Sequence, residues 1–135
     1  MKICMIGAGY VGLVSAACFS EFGWTVTCVD KDADRIARLN AGQTPIYEPG
    51  LESLLERNLA AQRLFFTQDI GPAVQEADVV FLAVGTPMRR GDGHADLTYV
   101  HGAVTDLAPH LDGFTVLATK STVPVGTSRE IELRL

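Results

Sequence analysis

Three glycines and one aspartate form the most informative pattern in the sequence. Gly7, Gly9 and Gly12 make a G-x-G-x-x-G motif that follows an apolar run and opens a helix-like segment. Asp30 lies at the end of the next apolar run. Gly7 would permit a tight turn, Gly9 would let the backbone approach a pyrophosphate, and Gly12 would let the helix pack closely. A glycine triplet alone is a weak signal, but this context predicts a dinucleotide-binding loop.

The start of the following helix should form the phosphate site. Its free N–H groups, around Tyr10 and Val11, would face the phosphates with the positive end of the helix dipole behind them. Asp30 then bears on the cofactor, because a carboxylate accepts both adenine-ribose hydroxyls and repels a 2′-phosphate. Lys31 and Arg35 could offset that repulsion, and Arg35 is either a cofactor contact or a solvated helix residue. We expect NAD rather than NADP.

Two later loops should complete the same cleft, because ligands of a doubly wound sheet bind outside the carboxyl ends of its strands. One loop follows the fourth predicted strand and the other follows the fifth. A hydroxyl there could contact ribose or nicotinamide or hold a water, or could serve only as a turn or cap residue. The candidate cofactor contacts in these loops are Val84, Gly85, Thr86, Pro87, Ser121 and Thr122.

The elements that must position these residues alternate between strand and helix. The predicted strands are residues 2–6, 25–29, 64–67, 78–84 and 115–119. The predicted helices are residues 10–22, 31 or 32 to about 40, 51–61, 70–77 and 97–111, with another starting near 126. Two prolines make residues 43–50 a loop. This alternation predicts an α/β, Rossmann-type doubly wound parallel sheet, and 135 residues suffice for a single domain.

Composition argues against several classes of partner. The net charge is −5 and the basic residues do not cluster, which argues against nucleic acid and anionic membrane surfaces. No apolar run has the length of a membrane span, and glycines interrupt the N-terminal apolar run. Cys4, Cys18 and Cys28 are expected to be core thiols of a reduced, cytoplasmic protein. Neither the histidines nor the cysteines have metal-ligand spacing, so we expect no metal site.

Six sequence blocks together resemble the UDP-glucose 6-dehydrogenase family over nearly the whole chain. They are MKICMIGAGYVGL at 1–13, VD at 29–30, PIYEPGLESLL at 45–55, FLAVGTP at 81–87, GDGHADLTYV at 91–100 and KSTVPVGT at 120–127. The resemblance implies an enzyme that oxidises the C6 alcohol of a nucleotide sugar to a carboxylate. It would do so in two hydride transfers to NAD, through a cysteine-bound thiohemiacetal and thioester.

The resemblance also implies roles for individual residues. The glycine loop with Tyr10 and Val11 would join an NAD-binding set that includes Asp30, Arg35, Thr86 and Ser121. Thr122 would match the family threonine that helps to position the catalytic water, which makes it the catalytic candidate in this sequence. The family's nucleophilic cysteine, catalytic lysine and catalytic glutamate would lie beyond Leu135.

The sequence is therefore expected to be the N-terminal NAD-binding domain of a homo-oligomeric enzyme, and to be inactive by itself. UDP-glucose is the expected substrate, because the GDGHADLTYV block is most similar to that branch of the family. Two alternatives stay open. One is another nucleotide-sugar dehydrogenase, acting on GDP-mannose or UDP-N-acetylmannosamine, and the other is a non-catalytic NAD-binding module.

Overall fold

Strands and helices alternate along the chain in a computed structural model that describes every residue from Met1 to Leu135. The strands are β1 (Lys2–Ile6), β2 (Thr25–Val29), β3 (Leu64–Thr67), β4 (Val79–Leu82) and β5 (Val116–Thr119). The helices are α1 (Tyr10–Glu21), α2 (Ala33–Asn40), α3 (Leu51–Ala60), α4 (Ile70–Gln75), α5 (Thr98–Leu107) and α6 (Thr127–Glu132). A short 3₁₀ turn, Ala108–His110, follows α5.

The five strands form one sheet in the order β3-β2-β1-β4-β5, and every neighbouring pair is parallel. The chain builds outward from β1 through β2 to β3, then crosses to the other side for β4 and β5. The direction of winding therefore reverses between β1 and β4, where Ile6 is in register with Leu82. Clefts for ligands form at such a reversal, outside the carboxyl ends of the strands.

Alternate side chains of β1 enter two separate cores, which is what helices on both faces of a sheet require. Ile3 and Met5 pack with residues of α1, α2 and α3. Cys4 and Ile6 pack on the opposite face with residues of α4, α5 and α6. The predicted doubly wound α/β fold is thus confirmed. No helix combines the length and the apolar character needed to cross a bilayer.

The two predicted elements that differ most from the structure were both too long. The helix predicted over 97–111 ends as an α-helix at Leu107, because Pro109 has no N–H to donate and its ring would clash with the preceding turn. The strand predicted over 78–84 covers only Val79–Leu82. The pairing of β4 with β5 stops because the Leu82 carbonyl accepts the N–H groups of both Lys120 and Ser121, at 2.8 and 2.9 Å. The two strands diverge after this point.

The segment after β4 contains a short antiparallel bridge between Met88 and Ala95. The Arg89 N–H donates to the His94 carbonyl at 2.7 Å, and the Arg89 guanidinium pairs with Asp92 at 2.8 Å. A small hairpin therefore projects between β4 and α5. Arg89 therefore belongs to an exposed charge pair.

Candidate functional site

The glycine loop after β1 is held by contacts that leave no room for side chains at two of its three glycines. Gly7 has a φ of 107°, and a Cβ added there would lie 2.5 Å from the Ala83 carbonyl oxygen. A Cβ added at Gly12 would lie 1.8 Å from the Gly7 carbonyl oxygen. The Gly7 N–H also donates to the Val29 carbonyl at 2.8 Å. These contacts fix the loop between the ends of β2 and β4.

Gly9 differs from the other two glycines. A Cβ added there would meet no atom of the protein within 4 Å, and its φ of −72° is open to any residue. Packing within the chain therefore does not explain a glycine at this position. The free space would admit a molecule that approaches the backbone closely.

The N-terminus of α1, directly after Gly9, presents unpaired backbone N–H donors. No side chain caps the helix, and its first turn holds no acidic residue. The helical hydrogen bonds begin with the Leu13 N–H, which donates to the Gly9 carbonyl at 2.9 Å. The N–H groups of Tyr10, Val11 and Gly12 precede that bond and have no helical acceptor. Together with the helix dipole they form a site for an anion.

Asp30 lies just beyond β2, and its carboxylate accepts hydrogen bonds from three groups. Its Oδ2 accepts the Ala8 N–H at 2.8 Å and the Arg35 guanidinium at 3.1 Å. Its Oδ1 accepts the Asp32 N–H at 2.9 Å. The side chain of Asp30 is only 14% exposed, whereas that of Arg35 is 36% exposed. The carboxylate therefore shapes the glycine loop and also neutralises Arg35.

Lys31, the other cation that the sequence places near Asp30, is engaged elsewhere. Its Nζ lies 2.6 Å from a carboxylate oxygen of Asp106 on α5. Both basic residues beside Asp30 thus have acidic partners.

A cavity of about 250 Å³ lies at the carboxyl ends of β1, β4 and β5. We call it the cleft. Most of the predicted site residues come together there, but Pro87, Asp30 and Arg35 do not line it, and Gly7 and Gly12 lie behind it as packing residues. The residues that line the cleft are Gly9, Tyr10, Val11, Ala83, Val84, Gly85, Thr86, Lys120, Ser121 and Thr122.

A larger cavity, of about 480 Å³, lies on the α4 side of β2 and β3. Threonines of these strands line it together with Phe65, and Lys2 and Glu76 on its lining pair at 2.9 Å. It contains none of the predicted site residues.

The hydroxyl groups in the cleft differ in what they can still bind. The Ser121 hydroxyl donates to the Val84 carbonyl at 2.7 Å, so its single proton is used inside the protein. It can only accept a further hydrogen bond. The hydroxyls of Thr86 and Thr122 make no hydrogen bond within the chain and can both donate and accept.

Two polar residues of this region were not predicted from the sequence. Lys120 lines the cleft beside Ser121, and the rule that places ligands at strand ends could have identified it. Glu48, in the loop between α2 and α3, accepts a hydrogen bond from the Tyr10 phenol at 2.8 Å. That hydrogen bond, followed by the negative charge of Glu48, raises the pKa of Tyr10. No local pattern predicts this contact, because 38 residues separate the partners.

Two of the three cysteines are buried in the core. Burial raises the pKa of the Cys4 thiol to about 12 and raises that of Cys28 further. Both thiols are therefore protonated and shielded, as predicted for core residues, while Cys18 is half-buried. No group of three or more His, Cys, Asp or Glu side chains is placed to hold a metal ion.

The fold and the loop have close counterparts among known proteins. The NAD-binding domain profile of the UDP-glucose/GDP-mannose dehydrogenase family matches residues 1–135. A UDP-glucose 6-dehydrogenase of Rhizobium meliloti (strain 1021) is 62% identical over 132 residues, which are 98% of this chain and 30% of that protein.

Two solved structures resemble the chain closely. A GDP-mannose dehydrogenase from Pseudomonas aeruginosa has a TM-score of 0.92 and 36% identity, over 97% of this chain and 30% of that one. A UDP-glucose dehydrogenase from Pyrobaculum islandicum has a TM-score of 0.90 and 38% identity, over 98% of this chain and 32% of that one. The chain thus spans roughly a third of the length of these relatives.

Proposed function

The chain belongs to the UDP-glucose/GDP-mannose dehydrogenase family, and from that premise we propose that it is the NAD-binding domain of a UDP-glucose 6-dehydrogenase. Such an enzyme oxidises UDP-glucose to UDP-glucuronate with two NAD. The main support for a cofactor site is the open space at Gly9, in front of the unpaired N–H groups of α1. When bound, NAD would supply the hydride acceptor.

The residues fit the two halves of a dinucleotide. The N–H groups of Tyr10 and Val11 would donate to the pyrophosphate, where a side chain at position 9 would obstruct them. Asp30 would accept hydroxyls of the adenine ribose, and Arg35 would pack beside it. The carboxylate would repel a 2′-phosphate, and its own ion pair already engages Arg35. NAD is therefore the proposed cofactor rather than NADP.

The other half of the cofactor would lie at the ends of β4 and β5. Val84, Gly85 and Thr86 would form one wall, with Pro87 just outside it, and Ser121 and Thr122 the other. Ser121 would accept a hydrogen bond from a ribose hydroxyl or an amide, since its own proton is donated to Val84. Thr122 has a free hydroxyl that would hold a water near the reacting carbon, the catalytic role we propose for it.

The substrate and the assembly are proposed from relatives rather than from this site. The 62% identity to a UDP-glucose 6-dehydrogenase favours UDP-glucose. GDP-mannose is the second candidate, because a GDP-mannose dehydrogenase has a TM-score of 0.92 with this chain. We further propose that the residues 1–135 act as one domain of a longer, homo-oligomeric protein. Three free cysteines agree with a reducing compartment such as the cytoplasm.

A calorimetric titration with NAD tests the cofactor assignment. Asp30→Asn keeps an oxygen that can accept the Ala8 N–H but loses the negative charge that would exclude a 2′-phosphate. It should weaken NAD binding and reduce the preference for NAD over NADP. Asp30→Ala serves as the comparison, because it also leaves the buried Ala8 N–H unpaired, at a cost of about 1–3 kcal/mol of folding free energy. Failure of the unmodified chain to bind NAD, or equal NAD affinity in Asp30→Asn, would count against the assignment.

A further inference from the structure

The cleft is lined by ten residues, of which only Lys120 carries a charge. Lys120 directly follows β5 and is exposed. Its backbone N–H donates to the Leu82 carbonyl at 2.8 Å, which fixes where its side chain leaves the sheet. No carboxylate lies within 4 Å of its Nζ, whereas Lys2 and Lys31 both have acidic partners. Lys120 thus brings an uncompensated positive charge to the cleft.

The strand order tells which half of a bound dinucleotide this charge would meet. Asp30 marks the adenosine end, beyond β2, and the N-terminus of α1 marks the pyrophosphate in the middle, beyond β1. The sheet continues through β4 to β5 on the far side. Lys120 and Asp30 therefore lie on opposite sides of the α1 N-terminus, and Lys120 lies on the side where the nicotinamide half would be placed.

We propose that Lys120 is a specificity-determining residue that makes the cleft favour the reduced cofactor over the oxidised one. This inference rests on the proposed function. The nicotinamide ring of NAD carries a positive charge, and the ring of NADH carries none. A cation at that end of the cleft repels the ring of NAD but not the ring of NADH. Tighter relative binding of NADH makes bound NAD a better hydride acceptor, which suits a domain that serves an oxidation.

The size of the effect follows from Coulomb's law for charges near a protein surface. Two unit charges several ångströms apart, in the high effective dielectric of an exposed site, correspond to a preference of about three- to tenfold. Salt screens the interaction, so the preference should shrink as ionic strength rises. A lysine that only anchored a phosphate would act differently, because both redox forms carry the same pyrophosphate and would weaken together.

The test is the ratio of the two dissociation constants, NAD over NADH, measured on this chain by calorimetry and by NADH fluorescence. Lys120→Gln should lower that ratio about three- to tenfold. Lys120→Arg keeps the charge, so its ratio should stay close to that of the unmodified chain. Lys2→Gln is the matched control, because it removes a lysine from the other end of the sheet and should leave the ratio unchanged.

The outcomes distinguish a failure of the Lys120 inference from a failure of the proposed NAD-binding function. A ratio that is unchanged in Lys120→Gln overturns the inference, whether both affinities fall equally or neither changes. A ratio that falls in Lys120→Gln but falls equally in Lys120→Arg or in Lys2→Gln also overturns it. If the unmodified chain binds neither NAD nor NADH, the proposed function fails instead.

Discussion

The substitution Gly9→Ala separates ligand contact from protein packing at the glycine loop. The backbone at Gly9 has φ −72° and ψ −170°, an extended conformation that alanine adopts without strain. The added methyl group would meet no protein atom within 4 Å. Alanine is a poorer helix cap than glycine, but it also loses less conformational entropy on folding. These effects oppose each other, so the free energy of unfolding should change by less than about 1 kcal/mol.

NAD binding should respond much more strongly. A methyl group in front of the α1 N-terminus would hold the pyrophosphate away from the N–H groups of Tyr10 and Val11. Loss of one charge-assisted hydrogen bond costs about 1.5–3 kcal/mol. That range corresponds to a dissociation constant about 10- to 150-fold higher. Calorimetric titration of NAD and chemical denaturation of the same samples measure the two effects separately.

Two other glycines provide controls. Gly102 lies within α5, where an added Cβ also meets nothing, so Gly102→Ala should stabilise the fold by about 0.5–1 kcal/mol and leave NAD affinity unchanged. Gly12→Ala places a Cβ 1.8 Å from the Gly7 carbonyl oxygen and should disrupt folding itself. NAD binding by Gly9→Ala at the parental affinity would refute the proposed phosphate contact. Unfolding of Gly9→Ala would refute the packing argument.

Two further predictions concern titratable groups. The phenol of Tyr10 should ionise above its ordinary pH, because it donates to Glu48, and Glu48→Gln should lower that pKa in an absorbance titration. A titration curve that Glu48→Gln leaves unchanged would show that the contact does not form in solution. In the folded protein a thiol reagent should modify Cys18 first, since burial keeps Cys4 and Cys28 protonated and shielded. Equal rates at all three sites would contradict the buried placement.

The parts of the fold that depend on local pattern could be predicted from the sequence. Short apolar runs located every strand, and helical spacing located the helices. The glycine motif located the turn between β1 and α1. Helix and strand ends were less accurate. Pro109 ended α5 earlier than its apolar spacing indicates, and β4 stopped where the Leu82 carbonyl accepts the N–H groups of Lys120 and Ser121, just after β5. The end of α5 could have been predicted from the chemistry of proline, but the end of β4 depends on strand pairing.

The parts of the site that depend on distant contacts could not be predicted. The sequence placed Arg35 and Lys31 near Asp30, but it could not show that one pairs with Asp30 and the other with Asp106. It placed Ser121 at the cleft, yet not the direction of its hydroxyl proton, which depends on where the Val84 carbonyl lies. Such facts arise from the approach of separate strands and loops, and no residue spacing encodes them.

Several features of the cleft that the protein's own packing leaves unexplained point to a ligand. Contacts with Ala83 and with the Gly7 carbonyl account for Gly7 and Gly12, whereas no contact accounts for Gly9. The hydroxyls of Thr86 and Thr122 have no partner in the chain, and Lys120 has no counter-charge. All four of these unexplained residues line the same cleft, beside the unpaired N–H groups of α1. A fold that needed only to be stable would have no reason to gather them at one end of the sheet. A dinucleotide site would use the open backbone for the pyrophosphate, the free hydroxyls for the sugar or amide groups, and Lys120 to set the preference between the redox forms.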